Sequence, residues 1–370
     1  PTVDFIPLFE TIPDLESAEA VMDGLFTNPL YKAHLKSRKN KQTVMLGFSD
    51  GTKDGGYFMA NWSIYKAKEA LSGLATKYGI SMAFFDGRGG PPARGGGNTH
   101  EFYASMGDTI QSEDIQLTIQ GQTISSNFGT LDSSQYNLEQ LLSSGMASQI
   151  LNPGRNNLSA TDRKTMEGIA DFSYQAYQNF KAHPMFIPYL ERMSTLPFYA
   201  KTNIGSRPSK RSKGSELNFS DLRAIPFVGS WSQLKQNVPG FFGLGYALKE
   251  LETKGQLEDC LQLYQNSIFF KALISNSMQS MSKTNFSVIG IDNGVSVKVG
   301  DGFNQNFETC IRLDDGLLTI TLHYGGLDEP LLEVEPAKLA FANREASQLI
   351  LESLEHEWGI EADEGGGSRV

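Results

Sequence analysis

Short apolar runs alternate with stretches of helical periodicity through the first third of the chain. Val3–Phe9, Thr43–Phe48, Ile80–Phe85 and Ile115–Ile119 are rich in β-branched and aromatic residues and end at polar or glycine signals, so each is predicted to be a strand. Leu15 to Phe26 reads as a helix after the first strand. Between the second and third strands, Phe58 to Tyr78 carries Trp62, Tyr65, Ala67, Leu71 and Leu74 at helix-like spacing. Strand, helix, strand, helix predicts parallel β/α units. In a β/α barrel the chemistry gathers at the C-terminal strand ends, which singles out the turns beginning at Glu10, Ser49, Asp86 and Gln120.

From about residue 136 the periodicity is mostly helical. Helices are expected over Leu138–Leu151, Ala160–Ala182, Phe186–Met193, Leu244–Glu252 and Leu261–Met281. A connector from Lys201 to Glu216 gathers Lys201, Arg207, Lys210, Arg211 and Lys213 among Gly, Ser and Pro. It reads either as a solvated surface loop or as a mobile enzyme lid. Ser287 to His323 is β-like, with Asn293-Gly294 and Asp315-Gly316 as turn signals. A last helix is expected over Pro336 to Glu355, followed by a tail, Glu361 to Val370, with the composition of a disordered segment.

The 370 residues are 39% hydrophobic and 20% charged, an ordinary globular balance. The formal net charge of −10 argues against nucleic acid or an anionic membrane as the main partner. Two cysteines, Cys260 and Cys310, are too few for a disulfide framework or a Cys-rich metal site. No stretch approaches the ~18 apolar residues that span a bilayer, and no secretory signal is visible. The cytoplasm is the expected compartment, which devalues the glycosylation-like Asn157-Leu-Ser and Asn285-Phe-Ser. The chain opens with Pro1 and runs straight into an expected strand, which suggests a piece cut from a longer polypeptide.

The densest chemical signal is Asp86 to His100, where Arg88 and Arg94 sit among six glycines. Glycine lets the backbone turn through positive φ and lets a ligand approach the main chain. Successive amides in such a loop can cradle an anion, and arginine offers a planar fork for phosphate or carboxylate. A site for a small, multiply anionic molecule competes with a plain flexible turn. Glu10 lies just past the first strand, and Asp50 and Lys53 lie on the strand-to-helix turn after the second. Two carboxylates with open water positions suit Mg²⁺ or Mn²⁺ held together with a phosphorylated ligand, and Lys53 supplies a mobile point charge. Taken singly, each carboxylate reads as a cap or turn residue. Arg223 stands among Leu222, Ala224, Ile225 and Phe227. A buried arginine there needs an anion, either a ligand or a structural ion partner.

Five motifs in order, Pro7-Leu-Phe-Glu-Thr11, Gly47-Phe-Ser-Asp-Gly-Thr-Lys-Asp-Gly-Gly56, Gly87-Arg-Gly-Gly-Pro-Pro-Ala-Arg-Gly-Gly-Gly97, Gly205-Ser-Arg-Pro-Ser-Lys-Arg211 and Leu222-Arg-Ala-Ile-Pro226, resemble the C-terminal part of the phosphoenolpyruvate carboxylases. The resemblance covers about residues 3 to 285. It implies a mainly α fold with an α/β part: the second half of a β/α (TIM-type) barrel over 1–135, a helical region over 136–285, and a divergent C-terminal region over 286–370. It implies carboxylation of phosphoenolpyruvate by bicarbonate to oxaloacetate, with Mg²⁺ or Mn²⁺, through carboxyphosphate and an enolate. It makes Glu10 and Asp50 the metal ligands, Lys53 the lysine beside substrate and bicarbonate, and Arg88 a phosphate-binding arginine. Arg207 and Arg223 match substrate arginines. Arg94 matches a second loop arginine that serves catalysis or a bound feedback inhibitor. Lys210 and Arg211 fall in the family's mobile loop. Lys283 and Arg344 match an acidic-effector site for aspartate or malate. A cytoplasmic homo-oligomer, usually a tetramer, is implied.

The chain departs from that pattern at Asp86, where the family usually has histidine. Asp86 is expected to pair with Arg88, to join the metal's outer shell, or to mark a divergent branch, and is counted with the catalytic candidates. His100 is expected to be structural. Half a barrel leaves strand edges unpaired, so self-association or marginal stability is expected of the chain alone. The competing readings are a phosphate- and metal-binding module without catalysis, and an oligomerisation domain.

Overall fold

The computed structural model describes residues 3–111, 114–119, 122–146, 156–199 and 217–284, and the strands of a second sheet at 296–300, 307–314, 317–324 and 332–334. Four parallel strands, β1 (Leu8–Phe9), β2 (Lys41–Leu46), β3 (Ser81–Asp86) and β4 (Ile115–Leu117), lie side by side in chain order. Helices α1 (Ile12–Thr27) and α2 (Pro29–Ser37) join β1 to β2, and α3 (Phe48–Gly55) and α4 (Tyr57–Tyr78) join β2 to β3. A glycine-rich loop and α5 (Thr99–Ala104) lead to β4. Parallel neighbours connected through helices form the expected half of a β/α barrel.

Strand alternation decides which side chains face which layer. The register aligns Phe9, Leu46, Asp86 and Leu117 in one row, and Leu8, Met45, Phe85 and Gln116 in the next. Asp86 reaches Lys68 on α4, so its row faces the helices and the other row faces the open side of the half-barrel.

Several boundaries differ from expectation for physical reasons. β1 is two residues long rather than spanning Val3–Phe9. Pro7 has no N–H to donate, and only its carbonyl joins the ladder, accepting from Met45 N at 2.8 Å. Helix α1 begins earlier, at Ile12, because Thr11 and Asp14 form a reciprocal capping box with Pro13 in the first turn. The segment read as a turn around Asp50 is itself helical, as α3.

Beyond the half-barrel lie α6 (Gln122–Phe128), α7 (Leu131–Met146), α8 (Ala160–Ala182), α9 (Phe186–Arg192), α10 (Leu196–Tyr199), α11 (Ala224–Gln233) and α12 (Leu244–Thr253). The single helix expected over Leu261–Met281 is two, α13 (Leu257–Asn266) and α14 (Ile268–Ser282). Ser267 between them accepts a bond from Phe270 N and caps the second.

One apolar core lies between the sheet and its helices, with Leu46, Trp62 and Phe102 among its members. It also takes in Met166 and Ile169 of α8 and Leu251 of α12. The helical region therefore packs onto the half-barrel. A second core gathers Tyr177, Phe186, Trp231 and Phe241, and Ala93 of the glycine-rich loop belongs to it. The loop is thus held between two cores.

A separate antiparallel sheet is formed by β5 (Ser296–Gly300), β6 (Phe307–Asp314), β7 (Leu317–Tyr324) and β8 (Leu332–Val334), in chain order. Asp314 pairs with Leu317 where β6 meets β7, and the expected turn at Asp315-Gly316 lies outside the described residues. Asn293-Gly294, the helix expected over 336–355 and the tail lie outside the described residues. Among the described residues no helix is long and apolar enough to cross a membrane.

Candidate active site

The loops leaving the C-terminal ends of β1, β2 and β3 meet at one rim. Glu10 follows β1, and Asp50 and Lys53 stand in the first and last turns of α3 after β2. Gly47 lets the first two loops touch: a Cβ there would lie 2.9 Å from Glu10 Cα. One turn on, a Cβ at Gly51 would lie 3.4 Å from Glu10 O. Glu10 and the first turn of α3 are therefore in direct contact, and Asp50 is on that turn.

Helix α8 grips the other end of α3 through main-chain carbonyls. Tyr177 OH donates to Lys53 O at 3.2 Å and Gln178 Nε2 to Asp54 O at 2.9 Å. Lys181 Nζ also donates to Asp54 O. The Asp54 carboxylate accepts from Ile12 N at 3.0 Å and faces Lys181 Nζ at 3.7 Å, so it ties α1, α3 and α8 together. Burial pulls the Lys181 ammonium below its ordinary pKa, against the opposing pull of Asp54. Lys53 is 9% exposed, and its ammonium lies 4.4 Å from the ring centroid of Phe219.

The glycine-rich loop, 87–98, turns on a short 3₁₀ segment, Pro92–Arg94. Gly95 and Gly97 have φ of 74° and 105°, a region closed to most side chains. A Cβ on Gly96 would meet Gly89 O at 2.0 Å, so the two limbs of the loop touch through their backbones.

Arg88 is turned into this loop. It is 5% exposed, and it donates from Nη2 to Gly96 O (3.0 Å) and Asn98 O (3.4 Å), and from Nη1 to Gly97 O (3.2 Å) and Thr99 Oγ1 (3.1 Å). Its guanidinium carbon lies 4.5 Å from the centroid of Phe102, and its Nε finds no hydrogen-bond partner among the described residues. Burial lowers its pKa, opposed by the phenols of Tyr57 and Tyr103 and by Asp86. Arg94 stands half-buried on the 3₁₀ segment, and its carbonyl accepts from Ser49 Oγ at 3.1 Å, which joins the loop to α3.

Asp86 does not hydrogen-bond Arg88. It is 0% exposed and accepts at Oδ2 from Lys68 Nζ and from Tyr103 OH, both at 2.6 Å. Arg223 is the N-cap residue of α11, half-buried between Leu222 and Ala224, with no ion pair among the described residues. Lys283 follows α14 as its C-cap and is exposed. His100 is half-buried in the first turn of α5. Arg207, Lys210, Arg211 and Arg344 lie outside the described residues.

Several residues escaped the sequence reading. Lys68 falls on the buried stripe Ile64, Lys68, Leu71 and Ala75 of α4, and a lysine on an apolar stripe is a readable signal. Asn276 of α14 accepts from Asn98 N at 3.0 Å and donates to Tyr57 OH at 2.9 Å. Tyr57 OH in turn donates to Gly96 O at 3.3 Å. Nothing in the sequence around Asn276 or Phe219 points to the loops they support, because both contacts join distant parts of the chain.

Glu10 and Asp50 are the carboxylates at the rim that could hold a hard divalent cation. Among the described residues no cluster of three or more His, Cys, Asp or Glu converges. A cation that keeps several waters needs only one or two carboxylates besides the oxygens of its ligand, and the pair fits that demand. Lys53 stands on the same helix as Asp50, and the arginine loop is joined to that helix through Ser49 and the Arg94 carbonyl.

The family model described as phosphoenolpyruvate carboxylase matches residues 1–298 and ends within β5. Curated phosphoenolpyruvate carboxylases are similar over most of the chain. That of Corynebacterium diphtheriae is 36% identical over 77% of this chain and 32% of its own length. That of Rhodothermus marinus is 34% identical over 89% and 36%, and that of an Azoarcus species 37% identical over 77% and 31%. The chain spans about a third of the length of these relatives. It belongs to the phosphoenolpyruvate carboxylase family.

Proposed function

We propose that this chain supplies the C-terminal half of an active-site barrel that carboxylates phosphoenolpyruvate with bicarbonate, giving oxaloacetate and phosphate. The observation that carries this reading is the meeting of Glu10, Asp50, Lys53 and the arginine loop at one end of one parallel sheet. Family membership supports the reaction class.

In this reading a bicarbonate oxygen attacks the phosphorus of phosphoenolpyruvate and the bond from phosphorus to the enol oxygen breaks. Carboxyphosphate and the enolate of pyruvate result. Carboxyphosphate releases CO₂ and phosphate, and the enolate carbon attacks CO₂ to form oxaloacetate. Glu10 and Asp50 would hold Mg²⁺ or Mn²⁺, which when bound would supply charge stabilisation to the developing negative charge of the reaction. Lys53 places a point charge beside the bicarbonate or the departing phosphate. Arg88 keeps the loop closed, while Arg94 and Arg223 add further cations.

The 3₁₀ segment bearing Arg94 packs against α14: both Ala93 and Ser280 lie within 3 Å of a Cβ built on Gly240. Lys283 caps that helix. An acidic effector such as aspartate or malate, bound at Lys283 and Arg94, would withdraw Arg94 from the substrate. Assembly as a cytoplasmic homo-oligomer completes the reading.

The test is oxaloacetate formation from phosphoenolpyruvate and bicarbonate with the preceding barrel half supplied. Lys53→Met and Asp50→Asn are expected to abolish turnover. Unchanged turnover in either contradicts the assignment, and ligand binding without turnover in the completed barrel favours a non-catalytic module.

A further inference from the structure

We propose that Asp86, Lys68 and Tyr103 form a clasp that closes the base of the glycine-rich loop, with Lys68 and Tyr103 acting as positioning residues for Arg88. Asp86 is the last residue of β3 and the loop leaves directly after it, while Tyr103 lies on α5, which begins where the loop ends. The 2.6 Å bond from Tyr103 OH to Asp86 Oδ2 therefore joins the two limbs beneath the loop. Lys68 Nζ donates to the same oxygen from α4, which fixes the clasp to the helix layer.

The setting of Lys68 argues for a geometric task. Its side chain is 3% exposed, and its ammonium is walled by Phe84 (5.3 Å), Tyr103 (5.5 Å), Phe102 (5.7 Å) and Phe48 (6.0 Å), measured to the ring centroids. A buried ion pair of this kind adds little stability over apolar residues of similar volume. What the pair does supply is a fixed orientation of Asp86 at the root of the loop. Phe102 touches both cations: Lys68 on one account and the Arg88 guanidinium, at 4.5 Å, on the other. The carboxylate between them has one oxygen filled by Lys68 and Tyr103, while Oδ1 has no hydrogen-bond partner among the described residues. Asp86 thus bonds the first cation directly and, after the phenols of Tyr57 and Tyr103, favours the charge of the second through its field. Burial, and then Asp86, hold the Tyr103 phenol well above its ordinary pKa, so its proton stays in place to bridge the limbs.

The clasp stands on this geometry, and only its consequence for phosphoenolpyruvate rests on the function proposed above. The test uses the full chain with Tyr103→Phe, Lys68→Met, Asp86→Asn and the Lys68→Met/Asp86→Asn double variant. Melting temperature, the Arg88 Nε–H resonance in ¹⁵N-labelled protein, and phosphoenolpyruvate binding with Mn²⁺ are measured. Tyr103→Phe is expected to melt within a few degrees of the parent, yet to shift or broaden the Arg88 resonance and weaken binding several-fold. Asp86→Asn, which leaves Lys68 buried without its anion, is expected to melt below the double variant. A folded Tyr103→Phe chain with an unmoved Arg88 resonance overturns the proposal, as does a double variant whose loss equals the sum of the single losses. If the parent chain fails to bind phosphoenolpyruvate, this half alone does not hold the substrate and the functional reading rests on the completed barrel, while the resonance still decides the clasp.

Discussion

The side-chain oxygen of Asn276 accepts the backbone N–H of Asn98 at 3.0 Å, across 178 residues of chain. The other end of the same amide donates to Tyr57 OH, and that hydroxyl donates to Gly96 O. Two helices, α14 and α4, thereby hold the returning limb of the glycine-rich loop through one buried side chain. The partners of Arg88 lie on the same limb, so Asn276 and Arg88 both brace it.

Asn276→Ala removes both contacts and leaves the part-buried Asn98 N–H and the buried Tyr57 hydroxyl short of a partner. It is expected to lower folding stability by about 1–3 kcal/mol and to weaken phosphoenolpyruvate binding with it. Denaturant unfolding and calorimetry on the same sample measure the two effects, and an unchanged affinity would dismiss the bracing role.

Gly97 and Gly79 separate strain from crowding. Both have positive φ, 105° and 64°, but a Cβ on Gly97 would lie 2.3 Å from the Asn276 amide while Gly79 faces open space. Gly79→Ala is expected to cost about 1 kcal/mol, the ordinary cost of alanine where φ is positive. Gly97→Ala should cost clearly more and abolish anion binding. Equal melting temperatures for the two variants would show that the loop can move away from Asn276.

The ring beneath Lys53 provides a further prediction. Phe219→Leu removes the aromatic face at 4.4 Å and keeps an apolar contact. A cation–π contact of about 1 kcal/mol corresponds to roughly five-fold in affinity. Binding of the anionic substrate should weaken by that order, and Phe219→Tyr should restore it. Failure of tyrosine to restore affinity would point to packing rather than to the ring.

Alkaline pH should unfold this protein through its buried phenols. Burial raises the Tyr57 and Tyr65 pKa values from 10.0 to about 12, and raises those of Tyr103, Tyr177 and Tyr189 as well. Above pH 10 the unfolded chain releases these protons while the folded chain keeps them. The stability contributed by each tyrosine is therefore complete below pH 10 and is lost as the pH climbs toward 12. Urea midpoints between pH 9 and 11 should fall, and Tyr57→Phe should make the fall shallower. A flat profile would place these hydroxyls in contact with solvent.

The sequence reading recovers the half-barrel and the places of Glu10, Asp50 and Lys53 beside its strand ends because both are written locally. β2, β3 and α8 are announced by periodicity within one element, and Glu10, Asp50 and Lys53 lie on motifs next to strand ends. Local signals also explain the errors. Pro7 shortens the first strand by withholding a donor, and Ser267 divides a helix that apolar spacing alone runs together. The orientation of Asp86 was beyond reach. Its identity reads as a loop residue, but its place in the strand turns it toward the helices, where Lys68 and Tyr103 meet it from elements 18 and 17 residues away. Asn276 and Phe219 were missed for the same reason: their roles exist only once distant helices have packed.

The central claim is that the rim formed by β1, β2 and the glycine-rich loop binds a phosphorylated anion together with a divalent cation. Titration calorimetry of the chain with phosphoenolpyruvate, with and without Mn²⁺, alongside Glu10→Gln, tests it most directly. The account predicts binding that requires Mn²⁺ and is lost in Glu10→Gln. Binding of equal strength without the metal, or undiminished in Glu10→Gln, would contradict it.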